Sequence, residues 1–457
     1  MPDAPAFSSD LLNRQPFAQK LESFLLTEHT FVEGSLVVSL DAPFGAGKTK
    51  FLELWTVDLA ARRETQGELP RPVTINAWES DYCGDPLVAI IAALIKALED
   101  STGPEKAKGR ALRDAFKDAG WFGLGLINSF VSNATGIDPM AAGAVAEEKK
   151  AQREEAAQPP RFNVLEVYEQ KRTALGVLQG KLKDIFGGDS PKAIVCIDEL
   201  DRCRPDYAIS YLEAIKHVFN IHGIVFVLAV DEHQLESATT VLFGPKLVFR
   251  EYYRKFAHRT VRLPEPAEKD VTRLIEDYTN RFLAKEGTRW SQFPGDRQRE
   301  ITQLMRAYHL KPRQVQEVFR TLGHLCAAKA NGGRLRSAYA IGTLFMATMR
   351  VANEAAYRRI GQCQFALKDL MPLLAPMNGS KSGAQRWFIT LAPGFRANDE
   401  WNNDVRQALN LRHDSPPETA LATALNDSLA AWDDSADTDH LAEIYRRIEE
   451  LRNFSRE

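Results

Sequence analysis

The chain has 457 residues, 58 Lys+Arg against 61 Asp+Glu, and a formal net charge of −3. With 44% hydrophobic and 26% charged residues the composition excludes a disordered chain, and at about 150 residues per domain the length predicts two or three domains. Near-cancelling charge excludes a globally basic nucleic-acid binder, so any basic surface must be local.

In chain order, residues 1–10 are polar with Pro2 and Pro5 and lack the basic-then-apolar order of a signal peptide. Phe17, Leu21, Phe24 and Leu25 fall at helical spacing. Residues 35–40 form an apolar run with adjacent β-branched residues, predicting a buried strand that leads into the glycine-rich turn 41–49. A helix follows over 50–63, a strand over 72–76 and a strongly apolar helix over 87–98. Residues 101–160 are rich in Ala, Gly, Lys and Glu, and predict exposed helix and linker closed by Pro159 and Pro160. The sheet pattern resumes with strands over 192–197 and 223–230 around a helix over 211–219. Strands apolar on both faces and alternating with helices predict a parallel sheet covered on both sides. Beyond Pro264 only helical periodicity is visible, as in Val315, Val318, Phe319, Leu322 and Leu325.

Two motifs carry chemistry. The first is the strand, glycine turn and helix around Gly45, Ala46, Gly47, Lys48, Thr49 and Lys50, the candidate nucleotide-binding residues. Glycines let backbone N–H groups converge on phosphate oxygens at a helix N-terminus. Lys48 would reach the β- and γ-phosphates and the Thr49 hydroxyl would ligate Mg²⁺. Ala42 stands where the phosphate-loop pattern has its first glycine, and alanine resists positive φ. The second motif is the pair Asp198 and Glu199 at the end of an apolar strand. Asp198 would hold Mg²⁺ through water and Glu199 would orient and polarise the attacking water. Read blandly, these acids only cap a strand.

The run Asp198-Glu199-Leu200-Asp201-Arg202-Cys203-Arg204-Pro205 resembles the Walker B region of the KAP family of P-loop NTPases, relatives of STAND and AAA+ enzymes. The stretches 75–78, 86–87, 224–231, 255–256, 261–264 and 311–313 resemble that family too, so the likeness spans roughly residues 15–330. It implies a sensor role for Asp231, for which a helix N-cap is an equally good reading. It implies an arginine finger at Arg254, with Arg250 as rival, and a sensor arginine at Arg313. Asp201 either shares the work of Glu199 or forms an ion pair with Arg202 or Arg204. The family's insertion often carries membrane spans, and no run of about 18 apolar residues exists here.

The remaining candidates read as structural. Trp78 is expected in the core rather than stacked on a base. Cys196 and Cys203 read as small core residues. Five cysteines are too few, and of the wrong parity, for a disulfide framework, and the nine histidines show no zinc spacing.

The expected fold is α/β, a P-loop NTPase core with a parallel sheet covered by helices on both faces, then a helical lid and a helical C-terminal region. The expected segments are 1–100 and 161–265 for the core, 101–160 for the insertion, 266–335 for the lid and 336–457 for the C-terminal domain. The resemblance implies a cytoplasmic ATP- and Mg²⁺-dependent switch or assembly ATPase in bacterial anti-phage defence or related signalling. A homo-oligomer and a separate effector protein are the expected partners, with no membrane. A DNA-directed motor, using basic residues in 250–262 and 311–320, and a nucleotide-gated scaffold with little turnover are the alternatives.

Overall fold

The computed structural model describes residues 6–67, 69–118, 164–283, 298–328, 337–377, 381–395, 404–405, 407, 427–428, 432 and 439–453. The apolar stretch 121–131 and the charge runs at 147–155 lie outside them. The chain divides into two compact units, the first running essentially to Pro264 and the second from Glu265 onward.

The first unit is built on five parallel strands: β1 (Leu36–Asp41), β2 (Arg71–Asn76), β3 (Ala193–Asp198), β4 (Ile224–Val230) and β5 (Arg259–Arg262), in the order β2-β3-β4-β1-β5. Strand side chains alternate between faces. Val37, Ile75, Val195, Ile197, Phe226 and Leu228 join one cluster with the helices Pro86–Glu99, Val164–Phe186 and Pro205–His217. The alternate set, Leu36, Val38, Leu40, Ile194, Cys196, Val225 and Val227, is equally buried. The helices Gln15–His29 and Lys48–Gln66 lie against strands of the sheet. The sheet is therefore covered on both faces, as the unbroken apolar runs require.

Edge positions explain the polar strands. β2 carries Pro72, which cannot donate to a ladder and is tolerated at an edge. β5 reads Arg-Thr-Val-Arg and is largely exposed, the charged edge that discourages further pairing. Gly223, just before β4, permits a close backbone approach: a Cβ there would lie 1.6 Å from the Phe186 carbonyl oxygen.

Two expectations change. Within the stretch expected as exposed helix and linker, residues 104–118 form the helix Pro104–Asp118, which is not fully exposed: it is amphipathic and buries Leu112 and Phe116 in the core cluster. Its Glu105 pairs with Arg63 and Arg71. The helix expected from 211 begins at Pro205, where proline's fixed φ suits a first turn.

The second unit is helical. Its element Ser337–Ala352 is buried continuously from Ala338 to Met349, as an all-apolar helix must be. One apolar cluster runs from Ile275 to Ile448, so the stretches expected as lid and C-terminal domain share a core.

Candidate functional site

Parallel strands end together, so their last residues converge on one edge. Asn76 is in register with Asp198, Asp198 with Ala229, and Asp41 with Val230. Ligands of open α/β sheets bind beyond that edge.

The phosphate loop follows β1. Gly45 and Gly47 have φ of 81° and 92°, which only glycine adopts without strain. A Cβ on Gly47 would meet nothing within 4 Å, so its backbone is open to approach. Ala42 is not among the positive-φ residues, so alanine stands at the loop entrance without left-handed strain. The Ala42 amide donates to the Val230 carbonyl at 3.1 Å, and its carbonyl accepts from Lys48 Nζ at 2.6 Å. The Lys48 side chain is 10% exposed and its Nζ lies 4.0 Å from Asp201.

The Thr49 hydroxyl favours the charged form of the Asp198 carboxylate. Asp198 is buried, and desolvation is the main force raising its carboxyl above the ordinary value. A buried carboxylate short of compensating charge beside a hydroxyl fits Mg²⁺, which is commonly held by one or two carboxylates together with substrate phosphates. Among the described residues no cluster of three or more His, Cys, Asp or Glu side chains could hold a metal.

Glu199 has φ 62° and ψ 24°, a left-handed conformation uncommon for a residue with a Cβ. Its amide donates to Asp198 Oδ1 at 2.9 Å. That turn sends the Glu199 side chain toward β2, where Asn76 Nδ2 donates to Oε2 at 3.3 Å. Arg202 pairs with Glu199 Oε1 at 3.0 Å. Asn76 also accepts from the Trp78 and Glu79 amides, capping the single turn Ala77–Ser80.

Asp231 occupies a helix N-cap position, yet its side chain does not cap. Its Oδ2 accepts the Phe44 amide of the phosphate loop at 3.1 Å, while Asp41 Oδ1 accepts the Glu232 amide at 3.1 Å. Asp201 Oδ2 accepts the Asp231 amide at 3.0 Å. Asp201 therefore turns to Lys48 and Asp231. Arg204, the other arginine considered for it, pairs with Asp81 at 3.0 Å.

Sequence reasoning missed Asn76, Asp81 and Arg202 as parts of this site. Asp81 accepts both the amide and the Nε of Arg204 at 3.0 Å, and Tyr207 donates to Ser80 at 3.1 Å. These bonds fasten the Glu199–Arg204 segment to the turn after β2. Trp78 is not core. It is 53% exposed, because the turn at the sheet edge directs it outward, with the Arg202 guanidinium 5.9 Å from its ring centroid. Cys196 and Cys203 are buried, and burial pushes both thiols up, Cys203 to about 12.

Other candidates lie apart. The Lys50 side chain is exposed and pairs with Glu53 at 3.0 Å. Arg254 caps the short helix Phe249–Tyr253 and is exposed, as is Arg250. In the same basic stretch Arg259 pairs with Glu28 and Arg262 with Asp41. Arg313 is the second residue of the helix Pro312–Ala328 in the second unit. Among the described residues no helix is long and apolar enough to cross a membrane.

The family model "KAP family P-loop domain" matches residues 14–327. No curated protein matches the sequence. Solved structures of the Aeropyrum pernix ORC2 protein are similar at a low level. The form with ADPNP-ADP complexes has 11% identity and a TM-score of 0.35 over 95% of this chain and 99% of that one. The ADP form has 12% identity and a TM-score of 0.30 over 92% and 95%.

Proposed function

This chain belongs to the KAP family of P-loop domains, and on that premise we propose that it is a Mg²⁺-dependent ATPase with slow, regulated turnover. The observation that carries the proposal is a glycine loop at positive φ whose Lys48 lies 4.0 Å from Asp201, with the buried Asp198 and the left-handed Glu199 at the end of β3. Mg²⁺ bound there would neutralise charge on the phosphate oxygens. Gly45, Ala46 and Gly47 offer backbone to the phosphates, Lys48 offers its ammonium, and Thr49 and Asp198 hold the metal. Glu199 orients the attacking water and takes its proton. Asp201 fixes Lys48, and Asp231 holds the loop through the Phe44 amide, the position from which a sensor would feel the terminal phosphate. Arg313 is assigned to the same nucleotide as a sensor from the helical unit.

A homo-oligomer is part of the proposal, with Arg254 or Arg250 presented to a neighbour's nucleotide. Turnover per chain should then rise with protein concentration, and Arg254→Ala should remove that rise. A rate flat over a wide concentration range contradicts the finger. The proposal extends to a role in bacterial anti-phage defence or related signalling with a separate effector, a reading that rests on the family resemblance alone. Loss of protection in a plaque assay with Lys48→Ala tests that role.

The turnover test is phosphate release from Mg·ATP. Glu199→Gln should lower the rate by about 10²–10⁴-fold while retaining ATP binding. An unchanged rate would refute the assignment of Glu199. The scaffold reading gains support from one observation: both carboxylate oxygens of Glu199 are already engaged, which favours a low basal rate.

A further inference from the structure

Arg202 is held from two sides. It pairs with Glu199 Oε1 at 3.0 Å, and its guanidinium lies 4.8 Å from the Phe44 ring centroid and 5.9 Å from that of Trp78. Phe44 belongs to the phosphate loop, and both rings are about half exposed, at 48% and 53%. Large aromatic side chains left this open, with a cation stacked on them, are not explained by packing. The contact with Phe44 sets the guanidinium at the edge of the phosphate loop, and Asp201, the preceding residue, lies 4.0 Å from Lys48 of that loop.

Resting on the triphosphate reading of the loop, we propose that Arg202 is a positioning residue with two exchangeable partners. Without a terminal phosphate it pairs with Glu199 and keeps that carboxylate from water. With a triphosphate in the loop, it turns to the terminal phosphate and releases Glu199. A planar guanidinium fits carboxylate and phosphate oxygens equally well in geometry, and the phosphate carries the greater charge. The two rings keep the guanidinium at the loop edge during the exchange, so the movement is short. A diphosphate offers no terminal group, and Glu199 stays held. The device thus makes the water-activating carboxylate available only when there is a bond to hydrolyse.

The exchange predicts coupling between Arg202 and Glu199 in the ability to tell triphosphate from diphosphate. Calorimetry with Mg²⁺ would measure affinity for a non-hydrolysable ATP analogue and for ADP in wild type, Glu199→Gln, Arg202→Gln and the double variant. Glu199→Gln frees Arg202 and should raise the analogue-to-ADP preference about tenfold. Arg202→Gln should lower that preference about tenfold, and adding Glu199→Gln should then change nothing. Arg202→Lys keeps the charge without the planar fork and should fall between, which supplies a second test if Arg202→Gln unfolds. A merely structural Arg202 would shift both nucleotides alike. A preference unchanged in Arg202→Gln, or a Glu199→Gln effect equal in both backgrounds, overturns the proposal. Failure of wild type to bind either nucleotide would overturn the triphosphate reading itself.

Discussion

In the first unit, polar groups of the strands and of the turns after them find partners far away in sequence. Asp81 holds Arg204 across 123 residues, Asp231 holds Phe44 across 187, and Ser39 donates to Glu232 across 193. In the helical unit, the buried hydroxyls of Thr279 and Thr343 bond the carbonyls four residues back, Ile275 and Tyr339. Local satisfaction of this kind keeps a hydroxyl quiet inside a helix and assembles nothing. Distant satisfaction ties the ends of β1, β2, β3 and β4 into one polar network and fixes side-chain directions there. The difference teaches that the first unit's sheet edge gathers polar side chains from four strands, the arrangement on which the proposed chemistry rests, while Thr279 and Thr343 of the second unit only pack.

Substitutions should separate the two regions. Of the two substitutions that separate them, the larger effect is expected from Asp198→Asn, which keeps the shape of the side chain but removes its charge. Turnover of Mg·ATP should fall by about 100-fold, through loss of metal affinity. The same variant should melt higher without nucleotide. Burial raises the Asp198 carboxyl, so the stability it contributes is present below the ordinary value of 3.8 and is lost as pH rises through the folded value. At neutral pH its charge is a net cost, and removing it should raise Tm by about 2–4 °C. A lower Tm would break the claim that this position trades stability for binding.

In the second unit, Gly342→Ala should do the opposite. A Cβ there would lie 2.1 Å from the Trp432 ring, so overpacking should cost about 1–3 kcal/mol while nucleotide affinity stays unchanged. Denaturant unfolding combined with calorimetry checks both halves. Weakened nucleotide binding in a folded Gly342→Ala chain would blur the division of labour.

The smallest effect is a pH dependence. His29 is buried, lies against His222 with ring centroids 4.2 Å apart and the rings tilted by 31°, and has a buried Nδ1 without a partner. Desolvation lowers its pKa from the ordinary 6.5, so its contribution to stability is full above 6.5 and is lost as pH falls through the lower folded value. Urea unfolding from pH 8 to 5 should show stability declining, and His29→Gln should shrink the decline. His258, also lowered by burial, contributes to the decline in the same direction.

The strands and the phosphate loop were legible because each is a contiguous signal: an apolar run, then glycines, Lys48 and Thr49. Asp198 and Glu199 were legible for the same reason. The partners of those residues were not. Nothing in the local sequence connects Asn76 with Glu199 or Asp81 with Arg204, because the sheet order that joins β2 to β3 crosses more than a hundred residues. Trp78 misled because a tryptophan after a strand usually packs inward, and here the Asn76-capped turn directs it out. The helix Pro104–Asp118 misled because its charged face dominates its composition, while two apolar residues, Leu112 and Phe116, decide its burial.

The central claim is that the β1 loop and the end of β3 form one Mg–nucleotide site. Calorimetric titration of ATP with Mg²⁺ into wild type and Lys48→Ala tests it most directly. Saturable binding in wild type, weakened by at least about 100-fold in a folded Lys48→Ala chain, is the predicted result. Equal affinity in the two chains would contradict it.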